Sequence, residues 1–299
     1  MSSQSELDFT YSLIDKIFRL SLGESADYSG AMYDGDFSMT LEEAQRRKHA
    51  YIVQHLGLVP GKRLLDLTCG WGPLLQYARS LGIEGVGLNL SSAQAASCRR
   101  NGLDVRIMDC RAVSHDVLGT FDAVASVGGG EHFCSLEDYY AGRQESIYHD
   151  VFRRVADLLP PRGRFYFQTM VFGRNMVPAE QMDINAPRDS DGFYLALMNK
   201  QFPGAWLPYG KEQLEKTAKP YFRLVSASSG RLDYIETIKQ WRKRFAAPSW
   251  RKRLLKLSLL PRYLFSKDFR LAFATGISSN SVCFQRELLD HYRLVFERC

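Results

Sequence analysis

Two glycines and an acid lie close together in the stretch LLDLTCGWGPLL. Asp66 follows an apolar run, and Gly70 and Gly72 come next. Glycines carry no Cβ and let a ligand approach the main chain, and a helix that begins after them offers free N–H groups. The third position after Gly72 is Leu75, so the G-x-G-x-x-G dinucleotide pattern is excluded. A G-x-x-x-x-G-K-[ST] phosphate loop is also absent from the sequence.

A second acid, Asp109, ends the stretch DVRIMD. An acid before a G-x-G pair suits a ligand with an amino-acid end and a nucleoside end but no pyrophosphate. Asp66 and glycine backbone would hold the amino-acid end, and Asp109 the adenine, which predicts S-adenosylmethionine. The alternative is a structural glycine turn. Asn89 stands where an acid usually grips the ribose; Asn89 or Gln94 can bond a hydroxyl, because an amide both donates and accepts.

Strands and helices alternate from about residue 62 to 171, which predicts a doubly wound parallel sheet. The predicted strands are RLLDLT, GVGLNL, DVRIMD, FDAVASVGG and RFYFQTMVF. Helical spacing covers 6–22 and 41–57, and Thr40 with Glu43 predicts a capping box at the start of the second helix. Later segments predict a strand in FRLVSASSGR, a helix in DYIETIKQWRKRF, and strands at Ser281–Gln285 and Tyr292–Glu297.

Four parts follow from this pattern. Residues 1–60 are predicted as an N-terminal helical segment that covers the cofactor site, and 61–171 as the cofactor-binding α/β core. Residues 172–220 hold several prolines and little periodicity, which indicates a lid or substrate cap. Residues 221–299 complete the core and include a basic helical insertion at 242–270.

Positive charge is concentrated in that insertion. Residues 242–270 hold ten basic residues and one acid, a formal charge of +9, whereas the rest of the chain carries −3 of the total +6. Such a segment indicates an anionic partner (an anionic membrane, an acyl carrier protein or a diphosphate) or a solvated helical face. Scattered cysteines and the lack of a signal peptide predict a cytoplasmic protein, at most peripheral to a membrane. No spacing typical of a metal site occurs.

Several motifs follow one another over about residues 8–245: DYSGAMYDGDFSMTLEEAQRRK, LLDLTCGWG, GVGLNLSSAQ, GGGEHF, QFPGAWLP and DYIETIKQW. In this order they resemble the cyclopropane fatty-acid and mycolic-acid synthases, which are S-adenosylmethionine-dependent methyltransferases acting on lipid alkenes. The resemblance implies a Rossmann-like class I methyltransferase fold with a mostly parallel seven-stranded sheet, N-terminal helices and an α-helical lid. It also implies cofactor contacts at Tyr28, Ser29, Gly70, Gly72, Leu90 and Gln94.

The resemblance also places Glu131, His132 and Tyr234 at or near the reacting centre. In that family an alkene attacks the sulfonium methyl. A bicarbonate ion, held by Cys, Glu, His and Tyr side chains, then takes a proton from the carbocation. Here Gly30 replaces the Cys and Gln168 the His, which counts against bicarbonate and ring formation. We expect Glu131, or Tyr234 with a water, to act as base, and Gln168 to donate a hydrogen bond. A salt bridge or helix cap is the structural alternative for Glu131.

The sequence thus predicts a C-methyltransferase that methylates an alkene carbon of an unsaturated lipid, acyl or isoprenoid substrate. The reaction would pass through a carbocation and give a methyl branch or a cyclopropane. The main alternative is a small-molecule natural-product N- or C-methyltransferase of the same fold. Absence of N-P-P-[YF] and Pro-Cys motifs disfavours a nucleic-acid methyltransferase. The intact glycine turn and Glu131 disfavour a non-enzymatic binding protein.

Overall fold

The computed structural model of the protein describes residues Leu22, 26–202, 204–265 and 280–299. The helix predicted at 6–22 lies outside these residues, apart from Leu22. The strands are β1 Arg63–Asp66, β2 Glu84–Asn89, β3 Asp104–Ile107, β4 Ala123–Val127, β5 Arg164–Phe172, β6 Phe222–Ser229 and β7 Leu289–Arg298. The helices are α1 Leu41–His55, α2 Pro73–Ser80, α3 Ser92–Arg100, α4 His115–Leu118, α5 Leu136–Tyr140, α6 Gln144–Asp157, α7 Asp191–Gln201, α8 Gly210–Ala218, α9 Arg231–Ala246 and α10 Trp250–Phe265.

The strands form one seven-stranded sheet in the order β3-β2-β1-β4-β5-β7-β6. Strands β1 to β5 pair in parallel, and β7 lies antiparallel between β5 and β6. The direction of winding reverses between β1 and β4, so their carboxyl ends border the crevice where ligands bind in such sheets. The predicted fold class, a doubly wound and mostly parallel sheet, is confirmed.

The composition of the strands at the centre of the sheet explains why the alternation of strands and helices could be recognised in the sequence. Strand β5 is RFYFQTMVF, and all its residues after Arg164 are buried. A strand that is buried on both faces has a nearly continuous apolar run rather than an alternating one. Phe165 and Phe167 of β5 pack with Phe152 of α6 and Phe296 of β7. These rings fix the helix layer against the sheet.

Helix α1 begins as the sequence predicts. The Thr40 hydroxyl accepts the Glu43 N–H (3.3 Å), and the Glu43 carboxylate accepts the Thr40 N–H (2.8 Å). This capping box satisfies two backbone donors at the helix start. The buried face of α1 carries three polar residues among its apolar ones, namely Gln45, Lys48 and His49.

One predicted strand is wrong. Ser281–Gln285 lies in a helical segment, residues 280–285, whose end is marked by the Arg286 N–H donating to the Val282 carbonyl (2.9 Å). A run of five residues is too short to show whether its apolar residues repeat with the period of a helix or of a strand. The sequence therefore could not distinguish the two. This helical segment before β7 buries Cys283 and Phe284 in the core. The predicted closing strand is confirmed and lies within β7.

The segment predicted as a lid, 172–220, contains α7 and α8. The segment predicted as a basic helical insertion, 242–270, contains the end of α9 and all of α10, which has Pro261 inside it, and its residues 266–270 lie outside the described residues. Among the residues that the structure describes, no helix combines the length and the apolar character needed to cross a membrane.

Candidate active site

A cavity of about 240 Å³ opens where the carboxyl ends of β1, β2, β3 and β4 meet. Residues 26–29 and two side chains of α1 close one side of it, and residues of the lid segment close another. Eleven of the predicted site residues line this cavity: Tyr28, Ser29, Asp66, Gly70, Asn89, Leu90, Gln94, Asp109, Glu131, His132 and Tyr234. Gly72 and Gln168 are not among its lining residues.

The two glycines after β1 have different roles. Gly70 has φ +52°, and a Cβ built there meets no atom within 4 Å, so its open side faces the cavity. Gly72 has φ +78°, and a Cβ there would lie 2.5 Å from Leu103 Cδ1. Gly72 is therefore required by the turn into α2 and by packing, whereas Gly70 leaves room for a ligand.

Asp66 lies at the end of β1 with its carboxylate at the cavity. It is buried, and its Oδ1 accepts the Thr68 N–H (3.2 Å). Burial raises the pKa of Asp66 to about 7, because a carboxylate loses its hydration there. A ligand ammonium beside it would favour the ionised form.

Asn89 and Gln94 both line the cavity, but they differ in what their amides do. Asn89 Nδ2 donates to the Gly70 carbonyl (2.8 Å), and Asn89 Oδ1 accepts the Ser91 N–H (2.8 Å). Asn89 therefore holds the glycine turn in place. The Gln94 side chain makes no hydrogen bond with the described residues, so its amide is the one available to ligand hydroxyls.

Asp109 follows β3 at the rim of the cavity. Arg111 holds its carboxylate through both Nε (3.0 Å to Oδ1) and an Nη atom (2.6 Å to Oδ2). Burial acts to raise the pKa of Asp109, but the hydrogen bonds and charge of Arg111 outweigh it and lower that pKa. Asp109 is thus an oriented, ionised acceptor at neutral pH.

A buried ionic cluster that the sequence analysis missed lies beneath the N-terminal side of the cavity. Lys48 Nζ donates to Asp27 Oδ2 (2.7 Å), to the Ser29 hydroxyl and to Gln45 Oε1 (2.6 Å). His49 Nε2 also lies 2.9 Å from Asp27 Oδ2. Burial opposes ionisation of Asp27, but Lys48 and His49 outweigh it and hold the pKa of Asp27 far below its usual range.

This cluster positions the segment that carries Tyr28 and Ser29. Its three α1 members were visible in the sequence as polar residues on an otherwise apolar stripe that begins at Leu41. They occupy the positions four, seven and eight residues after Leu41. Asp27, their common partner, lies about twenty residues earlier, and nothing in the spacing of the sequence connects it to them.

Glu131 lies in a short 3-10 turn, Gly130–His132, directly after β4. A Cβ on Gly130 would lie 2.4 Å from the Phe167 ring, so glycine is needed for this close approach to β5. Glu131 Oε1 accepts the Met170 N–H (2.8 Å), whereas the buried Oε2 has no hydrogen-bond partner among the described residues. Burial raises the pKa of Glu131 to about 7. The carboxyl is thus fixed on one side and available on the other.

His132 and Tyr234 complete the same region. Burial, with the charge of Arg111, lowers the pKa of His132 to about 4, so its imidazole is neutral at pH 7. Burial raises the pKa of Tyr234 well above its usual value, so its hydroxyl stays protonated. No group of three His, Cys, Asp or Glu side chains arranged to hold a metal ion lies within the described residues.

Gln168 is turned away from the cavity. Its Nε2 donates to the Gly30 carbonyl (3.1 Å), and its Oε1 accepts the Tyr166 hydroxyl (2.7 Å). His291 of β7 fills the space beside Gly30: a Cβ on Gly30 would lie 3.1 Å from His291 Cε1 and 3.3 Å from Tyr234 Cγ. The predicted hydrogen bond from Gln168 is made to the main chain, where it holds the segment around Gly30.

Part of the cavity lining is apolar. It consists of Phe133, Met170, Met198, Phe202 and Leu207. A cavity lined by both acidic, hydrogen-bonding side chains and apolar ones can hold a polar cofactor and a hydrocarbon chain side by side.

Comparison with known proteins shows which sequences this chain resembles. The family model of mycolic acid cyclopropane synthetase matches residues 2–259. Cyclopropane mycolic acid synthase 3 of Mycobacterium tuberculosis is 30% identical over 236 residues, which cover 77% of this chain and 78% of that protein. Cyclopropane-fatty-acyl-phospholipid synthase of Escherichia coli is 28% identical over 296 residues, 96% of this chain and 66% of that protein.

Solved structures share the fold. The cyclopropane synthase MmaA2 from Mycobacterium tuberculosis has a TM-score of 0.76 at 24% identity, with 98% of both chains covered. The mycolic acid cyclopropane synthase CmaA1, in a structure complexed with SAH and CTAB, has a TM-score of 0.75 at 24% identity, again over 98% of both chains. The match of the family model to residues 2–259 shows that the chain belongs to the mycolic acid cyclopropane synthetase family, which confirms the predicted enzyme class, an S-adenosylmethionine-dependent methyltransferase.

Proposed function

We propose that this protein transfers a methyl group from S-adenosylmethionine to an alkene carbon of an unsaturated lipid or acyl chain, with Glu131 as the base that removes a proton afterwards. The observation that carries the proposal is the buried Glu131 Oε2, which has no hydrogen-bond partner among the described residues and lies in a cavity with an apolar wall. Family membership supplies the reaction class.

The residues around the glycine turn suit the cofactor. Gly70 leaves the main chain open, Asp66 can pair with the ammonium, Gln94 can bond the ribose hydroxyls, and Asp109 can accept from the adenine amino group. When bound, S-adenosylmethionine supplies an electrophilic methyl group. Tyr28 and Ser29, held by the Asp27–Lys48 cluster, would cover it from the N-terminal side.

The residues do not suit bicarbonate. Of the four side chains that the family resemblance requires, Gly30 offers no thiol and Gln168 is already engaged with Gly30 and Tyr166. A Cβ at position 30 would lie in tight contact with the His291 ring, at 3.1 Å. Only Glu131 and Tyr234 of that set face the cavity. We therefore assign proton removal to the chain itself.

Glu131 has the properties that this step needs. A carbocation is a strong acid, so a carboxylate with a pKa of about 7 is ample as base, and burial makes it more basic than a free one. The rings of Tyr28 and Phe133 line the same cavity, and their faces can stabilise a cation. Tyr234 stays protonated and can orient a water or the substrate.

The substrate class rests on the apolar wall and on the relatives. One relative is named a cyclopropane-fatty-acyl-phospholipid synthase and others cyclopropane mycolic acid synthases. The product of this chain, a methyl branch or a cyclopropane, depends on which proton Glu131 reaches. A small-molecule natural-product N- or C-methyltransferase is the alternative that the experiment below would reveal.

The test uses methyl-labelled S-adenosylmethionine, an extract of unsaturated lipids, and the Glu131→Gln variant. We expect the wild type to label lipid, and Glu131→Gln to lose at least 10³-fold in kcat while calorimetry finds its cofactor affinity within about two-fold of wild type. The matched control is Glu145→Gln, an exposed carboxylate paired with Lys216, which should keep full activity. Loss of cofactor binding in Glu131→Gln, or labelled amines in place of lipids, would contradict the proposal.

A further inference from the structure

Helix α10 presents an apolar face to solvent. Leu254, Leu257 and Leu260 are 57%, 64% and 47% exposed, and Phe265 at the end of the helix is 88% exposed. At 3.6 residues per turn these four side chains fall within about 140° of the helix circumference. Leu255 and Leu259, on the other side of the helix, are only partly exposed. The exposed stripe is therefore a continuous feature of one helix face.

The same helix is strongly basic. Trp250–Phe265 contains five basic residues, Arg251, Lys252, Arg253, Lys256 and Arg262, and no acid. Two more, Arg242 and Lys243, are exposed near the end of α9. The exposed leucines leave apolar area in contact with water, and large apolar patches on a soluble surface usually mark an interaction site.

We propose that α10 is a membrane-docking helix that lies in the interface of an anionic lipid bilayer, with Leu254, Leu257, Leu260 and Phe265 among the acyl chains. Leu, Trp and Phe on one face with several Lys and Arg is the composition of helices that lie flat in a bilayer surface. Anionic headgroups supply the complementary charge. A helix of 16 residues is about 24 Å long, and the exposed side chains run from Leu254 to its last residue, Phe265.

An anionic bilayer explains both the exposed apolar stripe of α10 and its positive charge. An acidic carrier protein would complement the positive charge but has no general use for several exposed leucines along one helix. The inference deepens the proposed function, on which it rests for the choice of lipid: docking would bring the acyl substrate to the enzyme from the membrane in which it resides.

The experiment measures sedimentation of the full chain with phosphatidylglycerol–phosphatidylcholine vesicles and with pure phosphatidylcholine vesicles. We expect binding to the anionic vesicles that weakens as salt rises, and much weaker binding to neutral ones. The double variant Leu254→Asp/Leu257→Asp should bind the anionic vesicles at least ten-fold more weakly. Leu232→Asp is the matched control: this leucine of α9 is also 57% exposed, and its variant should bind like the wild type.

Three results would overturn the proposal: no binding of the wild type to anionic vesicles, equal binding of the α10 double variant, or equal loss in Leu232→Asp. Conversion of a wild-type dimer to a monomer by the α10 substitutions, without an effect on vesicle binding, would assign the stripe to a second copy of the chain. An assay of methyl transfer to detergent-dispersed lipid, which needs no membrane docking, distinguishes failure of this inference from failure of the proposed function. The double variant should keep that activity, whereas failure of the proposed function would remove it from the wild type as well.

Discussion

Replacing Glu131 by Gln should stabilise the fold at alkaline pH, as well as remove activity. Burial raises the pKa of Glu131 from 4.5 to about 7 in the folded protein. The folded state therefore resists ionisation of this group, so ionisation lowers the free energy of unfolding. This loss is absent below pH 4.5, grows as the pH rises, and is complete above about pH 7. The difference between the two pKa values corresponds to about 3 kcal/mol. Gln carries no charge to bury, and its amide oxygen can accept the Met170 N–H as Oε1 does.

The assay is urea unfolding of the wild type and Glu131→Gln at pH 5 and pH 8. Both proteins share every other titrating group, so the gap between their free energies of unfolding isolates Glu131. That gap should widen in favour of the variant by about 2 to 3 kcal/mol between pH 5 and pH 8. Glu145→Gln is the control, and its gap should stay within about 1 kcal/mol at both pH values, because exposed ion pairs contribute little. A gap of equal size at pH 5 and pH 8 for Glu131→Gln would refute the description of this carboxyl.

Three further predictions concern the same cavity. Lys48→Met leaves the Asp27 carboxylate buried without its cation and should lower the free energy of unfolding by about 3–5 kcal/mol, measured by denaturation; a loss under about 1 kcal/mol would show that the pair is not buried as described. Gly70→Ala should weaken S-adenosylmethionine binding at least ten-fold in calorimetry, because its Cβ enters the cavity. Gly61→Ala, which has a similar positive φ and open surroundings but does not line the cavity, should leave binding unchanged; equal effects would point to backbone strain alone. At saturating cofactor, kcat should rise with pH to a plateau above about pH 7, because Glu131 acts in its ionised form; a flat or falling profile would remove Glu131 from the base role.

Much of the core was predictable because its signals are local. The run RFYFQTMVF coincides with β5, since a strand that is buried on both faces is mostly apolar. Thr40 and Glu43 mark the start of α1 through a capping box that spans only three residues. The glycines after β1 were placed at a ligand-facing turn, but their separate roles depend on Leu103, which lies over thirty residues away.

The features that the sequence analysis missed depend on contacts between distant segments. Asp27 and Lys48 pair across 21 residues, and Gln168 reaches Gly30 across 138. No local sequence pattern predicts either contact. The polar residues on the buried stripe of α1 did indicate that this helix has a buried polar partner. The helical segment 280–285 was misread as a strand because a short apolar run carries no readable period.

The most direct test of the account is mass spectrometry of the atom that receives the methyl group. The wild type is incubated with methyl-labelled S-adenosylmethionine and a defined unsaturated phospholipid in carbonate-free buffer. The account predicts that the label becomes attached to a former alkene carbon of the acyl chain. Bound cofactor without any labelled acyl carbon, label on nitrogen or oxygen, or activity that appears only when bicarbonate is added would contradict it.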